Sequence, residues 1–347
     1  MKLTRRMILA AGVAMALTQP ISAWAADLPN NIRVVIGSTS TGGDTYQNSA
    51  IVADALSEKL GVNMKVDAVG FSEGFKALER DKRGTTIMIF HDQAFLGHLY
   101  GVRGYDDIFD KYKIGPTIAI NPGNAYLVAK DSPYKTMDDI FKAAADGKKI
   151  RVAIQPGGVS EIGFSAMKNA ASILSPGSEA NLVAVNTGSQ SDKNQAMFDD
   201  LADVINGSIQ ANEQFTQLPD SDQKAMRFVW ITARPETIEQ APEQGMGGTT
   251  RDDLLKYTSP KTSVTEDGKK DFVFDKEFFF IYNKDMPQAE VDAIDTALKE
   301  IYADGKIEER QKQAFFIPDF RPSAEAAKAI EEKNAAYGKI IEKITGK

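Results

Sequence analysis

Apolar segments with strand character alternate along the chain with segments whose apolar residues recur every three or four positions. The strand-like segments include IRVVI (32–36), NMKVDAV (63–69), TTIMIFH (85–91), KIRVAIQ (149–155) and RFVWITAR (227–234). Helix-like segments lie between them, and one of these, Tyr46–Leu60, is followed by Gly61, a residue that commonly ends helices. This alternation is typical of parallel sheets with crossover helices, so it predicts an α/β protein of the doubly wound class.

Residues 245–275 interrupt the alternation because they are polar, rich in turn residues and poorly periodic. We expect a surface excursion there. The next segment, EFFFIYNK (277–284), is strongly strand-like. Its residues Phe278, Phe279 and Phe280 are expected to serve the core, on both faces of a sheet.

Three predicted strands are followed by small and hydroxyl residues that lead into a helix. The segments are GSTSTGGDTYQNSA (37–50), QPGGVSE (155–161) and NTGSQSDKN (186–194). Any strand-to-helix connection needs such residues, but free N–H groups at a helix N-terminus also attract anions. Such loops meet at the carboxyl edge of an open α/β sheet, where ligands bind. With three loops of this kind, an ordinary connection and an anion-binding site are about equally supported. None has the glycine spacing of a nucleotide-binding loop.

The sequence contains no recognisable catalytic or metal-binding set. It has no cysteine, and its two histidines, His91 and His98, belong to no metal-binding motif, so we expect a packed or surface pair. No serine lies in a nucleophile-elbow motif. His91 and Asp92 end a predicted strand, where they either line a cleft beside the first loop or form an ordinary strand end.

The N-terminus has the three parts of an export signal: MKLTRR, the apolar run MILAAGVAMAL, and AWA ending at Ala25. We expect residues 1–25 to be removed, by Sec or Tat export, giving a soluble periplasmic protein. The remaining chain has 38 basic and 48 acidic residues, a formal charge of −10, which disfavours binding to nucleic acid or anionic lipid. Its length of about 320 residues predicts two lobes.

The order and spacing of the segments resemble the periplasmic receptors of tripartite tricarboxylate transporters, the Bug-type solute-binding proteins. The resemblance covers essentially the whole mature chain. The segments that carry it include IRVVIGSTSTGGDT (32–45), NAYLVAKDSPYKTMDDIFKAA (124–144), RVAIQPGGVSEIGFSAMK (151–168) and MPQAEVDAIDTALKEIYADGKIEERQ (286–311). The chain departs from the family in its first loop, which has Ser and Thr at 38–41 where the family is richer in Pro and Gly. Near the third loop, Lys193 either supplies a cation or is a solvated helix lysine, the interpretation we favour.

The resemblance implies a two-lobed periplasmic-binding-protein (Venus flytrap) architecture, with doubly wound sheets in each lobe and a ligand cleft between them. Residues 26–122 and 235–347 would form lobe I, and residues 123–234 would form lobe II. The hinge would lie near Asn121–Gly123 and Thr232–Pro235. The implied ligand-binding residues are Ser38, Thr39, Ser40, Thr41, Gly42, Gly43, Asp44, Thr45, His91, Asp92, Gly157, Gly158, Val159, Ser160, Glu161, Thr187, Gly188, Ser189, Gln190, Asn206 and Gly207.

The resemblance further implies a receptor that captures a small carboxylate metabolite and delivers it to the membrane subunits of a tripartite tricarboxylate-type transporter. It implies no covalent chemistry, no cofactor and no metal, and we expect a monomer that binds no nucleic acid. Two alternatives stay open: a receptor for an ABC or TRAP-type importer with a sugar-like or neutral ligand, and a periplasmic hydrolase. The hydroxyl groups of the first loop also suit a polyol or a hydroxy acid. The 245–275 stretch could fold over the cleft.

Overall fold

The computed structural model of the chain describes residues 28–259 and 264–345, so the predicted export signal lies outside the described residues. The strands are β1 (Asn31–Ile36), β2 (Asn63–Ala68), β3 (Thr86–His91), β4 (Tyr112–Asn121), β5 (Ala125–Ala129), β6 (Ile150–Ile154), β7 (Leu182–Asn186), β8 (Ile205–Gly207), β9 (Met226–Ile231), β10 (Lys276–Asn283) and β11 (Ile317–Arg321). The α-helices are α1 (Asp44–Leu60), α2 (Phe71–Arg80), α3 (Gln93–Leu99), α4 (Ile108–Lys111), α5 (Met137–Ala145), α6 (Val159–Leu174), α7 (Gln190–Phe198), α8 (Ile209–Thr216), α9 (Pro235–Glu239), α10 (Arg251–Leu255), α11 (Gln288–Asp304), α12 (Lys306–Gln313) and α13 (Ser323–Thr345).

Local sequence signals set several helix boundaries. Gly61 ends α1 with a φ of +68°, a left-handed conformation that glycine adopts readily, and this confirms the predicted helix end. Thr136 caps α5 by accepting a hydrogen bond from the backbone N–H of Asp139, and the Asp139 side chain accepts from the Thr136 N–H in return. These ends therefore depend on neighbours within one helical turn, which is why the sequence predicts them.

The large sheet has six strands in the order β11-β4-β10-β3-β1-β2. β1 pairs in parallel with β2 and β3, as the strand–helix alternation predicts. β10 instead lies antiparallel between β3 and β4. β10 joins this sheet from late in the chain, and apolar periodicity carries no information on strand direction. Phe278, Phe279 and Phe280 of β10 are fully buried, which confirms their predicted place in the core.

The small sheet is built from strands in the middle of the chain. β5 lies between β8 and β9 and is antiparallel to both. The parallel pair β6–β7 adjoins β8 through a bridge between Val152 and Val204. We call residues 28–121 and 276–345 the large-sheet half, and residues 124–259 and 264–274 the small-sheet half.

Three segments of the chain run side by side where the halves meet. The Thr232 hydroxyl accepts from the Asn124 backbone N–H at 2.8 Å and donates to the Phe274 carbonyl at 2.8 Å. The Phe274 N–H donates to the Thr232 carbonyl at 2.7 Å. Gly123 has a φ of +69°, and a Cβ there would collide with the Ala233 nitrogen. The junction is therefore a packed, hydrogen-bonded crossing.

Residues 245–259 and 264–275 pack against the strands of the small sheet, so the predicted surface excursion is wrong for much of this stretch. Leu254 of α10 is fully buried in one cluster with Ile209 and Phe228. Phe272 lies against Trp230, with ring centroids 6.1 Å apart. The stretch has weak periodicity because it adds single apolar residues to a core that other elements build.

Within the part of the chain that the structure describes, no helix combines the length and hydrophobicity needed to cross a membrane.

Candidate functional site between the two sheets

The first loop, Gly37–Gly43, connects β1 to α1 and uses its hydroxyl groups for its own backbone. The Ser38 hydroxyl accepts from the Ser40 N–H at 3.0 Å, and the Ser40 hydroxyl accepts from the Gly42 N–H at 3.3 Å. The predicted site residues Thr39, Ser40, Thr41 and Gly42 are exposed. The side chains of Ser38 and Ser40 thus shape the loop before any ligand is considered.

Asp44, the first residue of α1, lies buried where this loop enters the helix. Its Oδ2 is 2.5 Å from the Lys276 ammonium and 2.6 Å from Nδ2 of Asn121. Its Oδ1 accepts from the Thr45 N–H at 2.8 Å. A carboxylate at the first turn of a helix is also favoured by the helix dipole. Asp44 is therefore a fully bonded anion.

Lys276 and Asn121 occupy opposing positions on β10 and β4, so their side chains share one face of the large sheet. Sequence analysis missed both as site residues. The signal available for Lys276 is its place at the start of an apolar strand, where a lysine is buried only with a partner. That partner, Asp44, lies 232 positions away in the sequence.

Lys193 of α7 faces this group from the small-sheet half. It is 6% exposed, so the favoured interpretation as a solvated helix lysine is wrong. Its ammonium donates to the side-chain oxygen of Asn206 at 2.9 Å. Burial lowers the pKa of Lys193 to about 7, and repulsion from Lys276 contributes, whereas attraction from Asp44 opposes the shift. The two halves thus place these charges within electrostatic reach of each other.

Two amide side chains beside these charges have atoms without a partner. Oδ1 of Asn121 and Nδ2 of Asn212 are buried, and neither makes a hydrogen bond. Gln210 connects the halves because its Oε1 accepts from Asn121 at 3.2 Å and its Nε2 donates to the Phe315 carbonyl at 2.9 Å. Buried unpaired polar atoms are uncommon, and a bound ligand or water is one way to satisfy them.

We call this group of residues the inter-sheet cluster. Its members are Asp44, Asn121, Lys193, Asn206, Gln210, Asn212 and Lys276. Of these, only Asp44 and Asn206 belong to the predicted site residues.

In the second loop, a carboxylate of the chain itself occupies a backbone N–H group that an anionic ligand would otherwise bind. The Gly157 N–H donates to the Glu161 carboxylate at 2.5 Å, and the Ser160 hydroxyl accepts from the Gln155 N–H at 2.7 Å. The Ser160 carbonyl accepts from Nδ2 of Asn206 at 3.3 Å, which connects the start of α6 to the inter-sheet cluster. Gly158 and Val159, also predicted site residues, complete the turn into α6.

Gly157 is also a contact between the two halves. Its φ is +71°, and a Cβ there would lie 2.7 Å from Cγ2 of Val102 in the large-sheet half. Only glycine allows this close approach of backbone to side chain.

The third loop precedes α7. Thr187 donates through both its N–H and its hydroxyl to the Ile154 carbonyl, and Ser189 caps α7 by accepting from the Asp192 N–H. Gly188 is exposed between them. Gln190 packs with Asn212 over Gly207, where the two side chains leave no room for a Cβ. The residue that follows this loop, Gln190, therefore packs against Asn212 of the inter-sheet cluster within the small-sheet half.

His91 and Asp92 lie in the core and not in the inter-sheet cluster. The His91 Nδ1 accepts from the Gln93 N–H at 3.2 Å, and burial holds the pKa of this imidazole well below its usual range, so it is neutral. Asp92 lies 2.5 Å from the Lys333 ammonium and accepts from the Glu277 N–H at 2.6 Å. Both residues thus have structural partners, and repulsion from Lys276 of the inter-sheet cluster also lowers the pKa of His91. His98 is exposed.

Asp92, Glu277 and Lys333 form a second buried charged group. The Lys333 ammonium also lies 2.7 Å from Oε2 of Glu277 and donates to the Asp275 carbonyl at 2.7 Å. Burial raises the pKa of Asp92 to about 6 despite the attraction of Lys333. The side chains of Lys276 and Glu277 point to opposite faces of β10, so this group is separate from the inter-sheet cluster.

A cavity of about 470 Å³ opens elsewhere on the small-sheet half, and Lys130, Arg227 and Lys256 are among its lining residues. No residue of the inter-sheet cluster lines it. Among the described residues, no group of three or more His, Asp or Glu side chains is placed to hold a metal ion.

Comparison with known proteins gives structural but not sequence matches. No family profile matches the chain, and no curated protein matches it in sequence. The solved structure "R. palustris Rpa4515 with adipate" superimposes with a TM-score of 0.71 at 16% identity, covering 92% of this chain and 99% of that one.

Two further solved structures cover a similar share of the chain. The periplasmic binding protein BugD gives a TM-score of 0.64 at 16% identity, over 91% of this chain and 97% of that one. A TctC solute binding protein from Polaromonas gives 0.57 at 14% identity, over 90% and 98%. These likenesses confirm the predicted α/β periplasmic-binding-protein architecture: the chain has the fold of the Bug-type and TctC periplasmic binding proteins.

Proposed function

We propose that the chain is a periplasmic solute-binding receptor that captures a small carboxylate and delivers it to the membrane subunits of a tripartite tricarboxylate-type transporter. The observation that carries this proposal is Lys193, a buried ammonium at the junction of the two halves whose hydrogen-bond partner is the uncharged Asn206. A buried charge needs a counter-charge. A carboxylate supplies it together with hydrogen-bond acceptors.

The ligand in this proposal binds between the halves, against the inter-sheet cluster and the predicted loop residues around it. The division into lobes stays a prediction, and we propose one change to it. Residues 235–259 and 264–274 would move with lobe II, because Leu254 and Phe272 pack there. The chain would then pass between the lobes at residues 122–123 and 275, and the hydrogen bonds of Thr232 to Asn124 and Phe274 would brace these two hinge segments.

Two of the structural neighbours, a periplasmic binding protein and a solute binding protein, and a third that holds adipate support a binding role without covalent chemistry. We propose the same role, a periplasmic location and a monomeric state for this chain. Neither histidine is placed for acid–base catalysis in the cluster, because His91 is in the core and His98 is on the surface.

A thermal-shift screen of residues 26–347 against monocarboxylates, dicarboxylates, tricarboxylates, amino acids and sugars tests the proposal. A ligand at 100 times its Kd adds about 2.7 kcal/mol of stability, which shifts Tm clearly. We expect shifts with carboxylates. Shifts with sugars alone would replace the proposal with the sugar-importer alternative, and turnover of an ester or amide would replace it with the hydrolase.

Matched lysine variants locate the binding site. Lys193→Met should strongly reduce the carboxylate shift because it removes the proposed counter-charge. Lys149→Met, at an exposed position of the same half, should leave the shift unchanged. Equal shifts in both variants would place the ligand outside the inter-sheet cluster.

A further inference from the structure

The charges of the inter-sheet cluster do not cancel. Asp44 and Lys276 form an ion pair and together contribute no net charge. Lys193 adds one positive charge, and its hydrogen-bond partner Asn206 is neutral. In its protonated form the cluster therefore carries a single uncompensated positive charge between the two halves.

The other charges around the cluster leave this balance in place. On the same helix as Lys193, Asp192 is exposed and lies beside Gly188 at the helix start. Across the large sheet, Lys333 is engaged by Asp92 and Glu277. The electrostatic effects on Lys193 come from Lys276 and Asp44.

We infer that this site selects ligands with one carboxylate, and among them hydroxy monocarboxylates. The inference rests on the proposed function and specifies its substrate class. One carboxylate neutralises the closed site, whereas a dicarboxylate would leave a buried negative charge without a partner, which is strongly unfavourable. An amino acid would return the site to a net positive charge through its ammonium group.

The hydroxyl preference comes from the unpaired amide atoms. Oδ1 of Asn121 needs a donor, and Nδ2 of Asn212 needs an acceptor. A hydroxyl group can donate to the first or accept from the second. A ligand that leaves both atoms unpaired loses the corresponding hydrogen-bond energy on closure. A hydroxy acid should therefore bind more tightly than its unsubstituted parent.

Titration calorimetry with four-carbon acids tests the preference for one carboxylate and a hydroxyl group at a constant number of carbon atoms. The probes are butyrate, 3-hydroxybutyrate, succinate and malate. We expect 3-hydroxybutyrate to bind at least tenfold more tightly than malate, and butyrate at least tenfold more tightly than succinate. We also expect 3-hydroxybutyrate to bind more tightly than butyrate. Succinate or malate binding as tightly as its monocarboxylate partner would overturn the inference while leaving the carboxylate receptor intact. Absence of binding by every carboxylate in this panel and in the thermal screen would overturn the proposed function as well.

A charge variant tests the same inference in the opposite direction. Asp44→Asn keeps the shape of the side chain and leaves two ammonium groups in the cluster, so it should move the preference at least tenfold toward the dicarboxylates. Lys193→Met removes the uncompensated charge and should erase the advantage of the monocarboxylates even if Asp44→Asn does not fold. An unchanged ratio of monocarboxylate to dicarboxylate affinity in a folded variant would contradict the charge argument.

Discussion

The Lys276 ammonium and the Asp44 carboxylate form a buried ion pair, with Nζ and Oδ2 2.5 Å apart, that joins β10 to the first turn of α1. The exposed fractions of the two side chains are 7% and 11%. Asn121 donates to the same carboxylate oxygen at 2.6 Å. These two contacts to one carboxylate oxygen therefore join β10, β4 and α1, which come from distant parts of the chain, around the candidate binding site.

Lys276→Met should lower the free energy of unfolding by about 3–5 kcal/mol, because it leaves the Asp44 charge buried without its counter-ion. Urea denaturation followed by circular dichroism measures the loss. The double variant Asp44→Asn with Lys276→Met should recover most of it, since no unpaired charge remains. Equal losses in the single and double variants would show that packing, and not charge pairing, stabilises this contact.

The contribution of Lys193 to the stability of the unliganded protein should grow as the pH rises from 7 toward 10. Burial lowers the pKa of Lys193 to about 7 from its usual 10.5, so in this window the unfolded chain holds a proton that the folded chain has released. Stability rises with pH wherever the unfolded state binds more protons. Urea denaturation at pH 7, 8 and 9 should give a rising difference between the wild type and Lys193→Met, with the variant correcting for all other groups. Parallel curves would show that Lys193 keeps its proton when buried.

Gly157→Ala should weaken ligand binding about tenfold by opposing closure. The added Cβ would lie 2.7 Å from Val102 in the other half, and the φ of +71° is strained for alanine. Small-angle scattering should show a larger radius of gyration together with the weaker Kd. Gly147→Ala is the matched control, because Gly147 has a φ of +86° with no atom within 4 Å of the added Cβ. Equal loss of affinity in both would attribute the effect to backbone strain alone.

Glu213→Ala should loosen residues 245–258 without unfolding the small-sheet half. Oε1 of Glu213 accepts from the Gly248 N–H at 2.8 Å and from the Thr249 hydroxyl at 3.0 Å. Loss of hydrogen bonds to a charged group costs about 1.5–3 kcal/mol each. Hydrogen exchange read by mass spectrometry should quicken in this stretch only, and Glu213→Gln, which keeps one acceptor oxygen, should show a smaller change. Unchanged exchange in Glu213→Ala would mean that the other contacts of the stretch, such as the burial of Leu254 and the hydrogen bond from the Ile231 N–H to the Tyr257 carbonyl, suffice to hold it.

Much of the fold was predictable because its signals are local. The strand β1, the helix end at Gly61 and the three strand-to-helix loops follow from residues within a few positions of one another. The order of these segments led to the periplasmic-binding-protein architecture. Local signals also explain why the loops resemble anion sites, although Glu161 and Ser189 already bond to backbone N–H groups at the starts of α6 and α7.

Other features depended on residues far apart in sequence. The antiparallel direction of β10, the burial of Leu254 and Phe272, and the choice of the core over the surface for His91 came only with the tertiary structure.

By itself, the sequence determined the alternating elements, the loops and the class of fold, because periodicity and helix capping are short-range properties. The tertiary structure alone decided which charges face each other. Lys193 looks like an ordinary surface lysine in sequence, and it and Lys276 become site residues because the two halves bury them near Asp44. A lysine's burial and pKa are set by the dielectric and charges around it, which arrive from segments that no local pattern connects.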